Sequence, residues 1–274
     1  MRCLGIDFSG NFRMWSAGCG TSNVWIAETE ASESRLKLVN LRRVQQLDGD
    51  SAPFTRLVQL LRQSAFDVAA IDAPFSIPSE YLHSRGHREL LELVAKLMLN
   101  GARPFPSARD FVNRVLAGVL PVTKKPLRRT EEYWKQRGVN VRSTLWAGPR
   151  GGAAMTAACL KLLHEANCPV WPWERRGQRL LVEAFPAAQL RHWGLPHQAY
   201  NRSTEKESAI RRSIVLALRE RIDLGDFREK LEECADALDA VVCAFAANAV
   251  ANGLALGYAD DAEAAEGLIA VARV

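Results

Sequence analysis

The chain has 274 residues, 48% hydrophobic and 24% charged, usage that excludes disordered, collagen-like and coiled-coil classes. That length builds one large domain or two small ones and buries enough core to need no disulfides, and the six scattered cysteines form no zinc-ribbon spacing. The net charge is +5, unevenly spread: residues 84–150 hold fourteen cations against five acids, a net +9, so the remainder carries −4. A basic middle joined to an acidic remainder suits a polyanion held beside carboxylates, although a solvated charged surface explains the same count.

In chain order, RCLGIDFS at 2–9 reads as a short buried strand closing on Asp7 and a Ser-Gly turn. Segments 23–31 and 35–44 alternate like strands, and with the first they suggest an antiparallel meander. Residues 53–64 place Phe54, Leu57, Leu60 and Leu61 at helical spacing. VAAID at 68–72, closed by Ala-Pro, has the pattern of a fully buried parallel strand. Residues 77–175 read as a large insertion, with helices near 87–99 and at 153–166 and much Pro, Gly and Arg. LLVEAFP at 180–186 is another buried strand, helices follow at 204–222 and 226–252, and GLIAVARV at 267–274 fits a last strand. The reading is a single domain over 1–274, with the insertion inside it and helices on both faces of a mixed α/β sheet. Asp7 precedes any hydrophobic run, so no secretory signal is expected, and 235–258 is too polar for a membrane span. A cytoplasmic protein with no membrane partner is expected.

Asp7, Asp72 and Glu183 each stand near the carboxyl end of an apolar strand, where ligands of open α/β sheets bind. Acids on strands about 4.8 Å apart repel unless a cation sits among them, and hard oxygen ligands suit magnesium. Asp236 and Asp239 lie three apart, hence on one face, at the start of an apolar helix. The helix dipole alone explains acids in a first turn. Acids from four separate elements that all abut buried runs favour a metal site instead.

GIDFSG at 5–10, AIDAPFSIP at 70–78, VEAFPAA at 182–188 and DALDAVVCAFAA at 236–247 resemble the signature segments of the domain-of-unknown-function 429 family. That family is grouped with the ribonuclease H-like superfamily and described as predicted nucleases. The Asp-x-x-Asp helix start also resembles that of RuvC-type Holliday-junction resolvases. The resemblance implies a ribonuclease H-like mixed five-stranded sheet of order 3-2-1-4-5. It places Asp7, Asp72, Asp236 and Asp239 around Mg²⁺ or Mn²⁺, with Glu183 one strand further out, behind them or on the substrate side. No acid lies between Pro53 and Ser64, so the helical glutamate of ribonuclease H has no counterpart and the RuvC-like arrangement is the better analogy.

The function expected is two-metal hydrolysis of phosphodiester bonds in DNA or RNA. Lys124, Lys125, Arg128, Arg129 and Arg150 are expected to carry the phosphate backbone, while Trp134, Trp146, Trp171 and Trp173 either stack bases or fill a local core. A homodimer is compatible with this reading. Two alternatives stay open: a non-catalytic nucleic-acid-binding or scaffold protein, and an actin-like phosphotransferase using the Asp7–Gly10 turn. His83 and His87, at i and i+4, lack a third zinc ligand, and the Pro-Arg-Gly-Gly run at 149–152 lacks the Lys-Ser/Thr ending of a phosphate loop.

Overall fold

Strand β1 (Arg2–Asp7) is buried from its second residue on and lies inside the sheet, in a computed structural model that describes residues 1–31, 35–82, 86–99, 101–117, 125–175, 177–256 and 265–273. It pairs antiparallel with β2 (Trp25–Ala31), which pairs antiparallel with β3 (Leu36–Arg43). Helix α1 (Pro53–Gln63), started by Pro53 in its first turn, crosses to β4 (Val68–Asp72), parallel to β1. Then come α2 (Ser79–Leu82), α3 (His87–Ala95), α4 (Ala108–Val115), α5 (Arg129–Gln136) and α6 (Ala153–Ala166). The chain returns in β5 (Leu180–Ala184), parallel to β4, and continues through α7 (Pro186–His192), α8 (Glu205–Leu218), β6 (Ile222–Asp223), α9 (Arg228–Glu233) and α10 (Ala235–Ala251).

The sheet differs from the expected five-stranded order. It has six strands, β5-β4-β1-β2-β3-β6, because Ile222 and Asp223 pair in parallel beyond β3. Two residues at the end of a helical run carry no period, so β6 leaves no pattern in the sequence. The expected strand at 267–274 is reduced to single bridges, Ala184 to Ala270 and Ala255 to Ala272. Its apolar residues Ile269 and Val271 pack with Trp134, Val139 and Ala188 instead. The helix expected over 226–252 breaks at Cys234, which is extended (φ −124°, ψ 112°). Polar α9 and apolar α10 need different surroundings, and the break lets them part.

Alternation along β1 and β4 sends Leu4, Ile6, Ala69 and Ile71 to one face, where they share a core with α1, α3, α4 and α6. Segment 77–175 therefore supplies a helical layer of the main core. His87 belongs to that layer: its ring stacks on Trp173 at 3.6 Å and its Nε2 lies 2.9 Å from the Phe75 carbonyl oxygen, while burial lowers its pKa to about 4. His83 lies outside the described residues. The other sheet face carries Cys3, Gly5, Val68, Ala70 and Val182 and is covered by α10. Gly5 is what lets the helix lie so close, because a Cβ there would stand 2.0 Å from the Ala240 carbonyl oxygen and 2.4 Å from the Ala244 nitrogen.

Candidate acidic site

The close seat of α10 on β1 fixes where the acids go. Asp7 is two residues beyond Gly5, so its side chain projects to the helix-covered face. Asp72 is its register partner on parallel β4 and projects the same way. Asp239 precedes the Ala240 carbonyl that faces Gly5, and Asp236 lies in the first turn of α10. All four, with Glu183, line one cavity of about 380 Å³ at the carboxyl ends of β1, β4 and β5.

The carboxylates strain against one another. Burial first, then the charges of Asp239, Asp72 and Asp236, push Asp7 well above the usual carboxylate range. Burial, Asp239 and Glu183 do the same to Asp72, partly offset by Arg142. Asp239 is pushed up to about 7 by burial; a hydrogen bond from the Tyr200 hydroxyl to its Oδ1 (2.7 Å) lowers it and Asp236 raises it. Burial raises Asp236 too, and Arg43 eases it. Among the described residues, Asp7 and Asp72 have no hydrogen bond or ion pair to a side chain. Buried like charges so placed need either protons or a cation.

Glu183 differs from the other four. It is the register neighbour of Ile71, not of Asp72, so it leaves β5 toward the opposite face. There it accepts the Phe75 N–H (2.9 Å) and the Arg128 guanidinium (Nη1 to Oε2, 2.7 Å). Arg128 also reaches Glu131 through Nε (3.1 Å) and Nη2 (3.0 Å). Burial works against its charge, yet Glu183 and Glu131 hold that charge firmly, so its pKa lies above the ordinary value. Arg128 is 0% exposed, which corrects its assignment as a backbone-binding surface cation. It is an internal tether between the start of α5 and β5. Nearby, Glu266 accepts the Ser79 and Arg129 N–H groups, both at 2.7 Å.

Lys125, Arg129 and Arg150 are exposed, and Lys125 stands 4.9 Å over the Trp146 ring; Lys124 lies outside the described residues. Trp134 is buried in the cluster with Ile269, and Trp173 is stacked on His87, so both fill cores. Gly151 and Gly152 line the cavity, but their N–H groups are taken by the Gly148 and Ser143 carbonyls, leaving no phosphate cradle. Sequence reasoning missed Tyr200 and Arg142 as lining residues. Both sit outside regular elements, where no periodicity marks them.

Four hard-oxygen side chains with raised pKa values suit a divalent cation such as Mg²⁺ or Mn²⁺ in chemistry. In geometry the expected centre is not preformed: among the described residues no group of three or more His, Cys, Asp or Glu is arranged to hold a metal ion. Mutual repulsion and the Tyr200 bond on Asp239 oppose closer approach. No described helix is long and apolar enough to cross a membrane.

The fold and site thus define a three-layer α/β protein with an acidic cavity at the strand ends. The chain belongs to the family described as "Protein of unknown function (DUF429)", which matches residues 5–264. Comparison with curated proteins and with solved structures finds no match.

Proposed function

We propose that the protein is a nuclease that hydrolyses phosphodiester bonds with Mg²⁺ or Mn²⁺ held by Asp7, Asp72, Asp236 and Asp239. The observation that carries the reading is the convergence of four carboxylates from β1, β4 and α10 on one cavity, each pushed toward its protonated form. Strand β1, set between antiparallel β2 and parallel β4, supports the ribonuclease H-like resemblance. When bound, the cation would lower the pKa of an attacking water and stabilise the leaving oxygen. The protein's own residues do the rest. Asp7 and Asp72, in register, present carboxylates to one side of the cavity. Tyr200 holds Oδ1 of Asp239 and so fixes its orientation. Arg142, whose charge reaches Asp72, offers a guanidinium to a phosphate entering the cavity. Lys125, Arg129 and Arg150 contribute exposed positive charge along the chain's basic segment.

A non-catalytic nucleic-acid-binding protein is favoured by one observation, that the acids form no group arranged for a metal. One assay separates the two readings. Labelled single- and double-stranded DNA and RNA are incubated with Mg²⁺ or Mn²⁺ and with chelator. Metal-dependent cleavage is expected, reduced at least about a thousandfold in Asp7→Asn. Cleavage that persists undiminished in Asp7→Asn refutes the nuclease reading, as does binding without cleavage by the unaltered protein.

A further inference from the structure

A second cavity, of about 440 Å³, is lined by residues 17–20 with Trp25, Arg43, Gln45, Gln46 and Lys230. It lies on the same sheet face as the acids. Asp72, Asp7, Trp25 and Arg43 are successive register partners across β4, β1, β2 and β3, so their side chains form one row. Two strand spacings, about 10 Å, separate Arg43 from Asp7. The Arg43 charge still reaches Asp236, which places the two cavities side by side.

The walls of this cavity carry unmet donors. Trp25 is only 5% exposed, yet its indole Nε1–H is buried with no hydrogen-bond partner among the described residues. Arg43 Nε–H is in the same condition. Both groups are donors only, so an oxygen acceptor is the partner that would satisfy them. The Arg43 guanidinium, 5.0 Å over the Trp25 ring, is pinned by Nη1 to the Gly20 carbonyl oxygen at 2.8 Å and forms no ion pair among the described residues. Lys230 adds a second positive charge at the rim, bonded to Glu233 at 3.0 Å. Gln45 is held through Nε2 to the Met14 carbonyl (2.7 Å), with its buried Oε1 unpartnered among the described residues. Buried donors and a fixed guanidinium describe a receptor for a phosphate oxyanion.

We infer that this cavity is a phosphate subsite, taking a phosphate of the same nucleic-acid strand whose neighbouring linkage lies among the acids. The strand's identity rests on the nuclease reading; recognition of phosphate by Trp25 and Arg43 does not. The test is titration of the full chain, labelled with ¹⁵N at its tryptophan indoles, with inorganic phosphate, following the N–H resonance that Trp25→Phe removes. That resonance should move and saturate at millimolar phosphate. Arg43→Gln should weaken the response at least about tenfold, Arg43→Lys less, and Asp7→Asn should leave it intact. Arg43→Gln should weaken binding of a single-stranded oligonucleotide as well. A Trp25 resonance unmoved by phosphate in the unaltered protein overturns the subsite, even where cleavage sensitive to Asp7→Asn is present. A saturating shift in a protein that cuts no nucleic acid leaves the phosphate site standing and removes the strand from it. A shift with unchanged oligonucleotide affinity in Arg43→Gln overturns the placement of that strand in the cavity.

Discussion

Replacing Gly5 with alanine tests whether the close seat of α10 on β1 is what assembles the site. The added Cβ would stand 2.0 Å from the Ala240 oxygen, 2.4 Å from the Ala244 nitrogen and 3.0 Å from the Ala244 Cα. All three are backbone atoms of a buried helix, so no side chain can rotate away; the helix itself must retreat by roughly 1 Å. A gap of that width forfeits about a quarter to a half of each dispersion contact it opens. The contacts at stake are those of Cys243, Ala246 and Ala247 with Cys3, Val68 and Ala70. Overpacking costs about 1–3 kcal/mol where side chains yield, so Gly5→Ala should cost about 3–5 kcal/mol. Urea unfolding at fixed pH, compared with Ala70→Gly on the same sheet face, measures it. A loss below about 1 kcal/mol would mean that α10 does not rest on β1 as described.

The acids give stability a definite pH dependence. Asp239, with its pKa raised to about 7 by burial, keeps a proton in the folded protein that the unfolded chain has lost above about pH 4. The folded state then binds more protons, so this group's contribution is fully present below about pH 4 and falls by up to about 1.4 kcal/mol per pH unit until pH 7. Metal-free protein should therefore lose stability between about pH 4 and 7, and Asp239→Asn should flatten that slope; an equal slope in the variant contradicts the assignment. Among the described residues Glu183→Gln leaves buried Arg128 with Glu131 as its one charged partner, which should cost about 3 kcal/mol in urea unfolding, whereas Lys125→Ala on the surface should change stability by less than about 0.5 kcal/mol. Equal effects of the two substitutions would show that the Arg128 tether carries no weight.

The sheet was legible where one signal decides. An apolar run closed by an acid and turn chemistry marked β1, β4 and β5, and helical spacing marked α1. Strand ends singled out Asp7, Asp72 and Glu183, and helix spacing put Asp236 and Asp239 on one face, both local patterns. Only the family resemblance implied that the helix brings its pair over the strand ends, and the register of β5 turns Glu183 to the other face. Arg128 was misread because a run of cations looks solvated until its partners are known. Glu183 lies 55 residues away and the Glu266 carbonyl 138 away, and nothing local announces such pairings. The same holds for Tyr200 on Asp239, a hydrogen bond between a loop and a helix. The apolar tail was read as a strand because its composition allows one; it spends its side chains on the Trp134 cluster and makes only isolated bridges.

The acids of β1 and β4 wait for a helix that starts at Ala235 before they gain their companions. A polypeptide emerging from the ribosome is surrounded by RNA, and domains form as units while synthesis proceeds from the amino end. Through most of that passage the nascent chain displays Asp7 and Asp72 without Asp236 or Asp239, and without Tyr200 to orient the latter. On the nuclease reading proposed above, cutting of nearby nucleic acid is deferred until translation has carried α10 into the open.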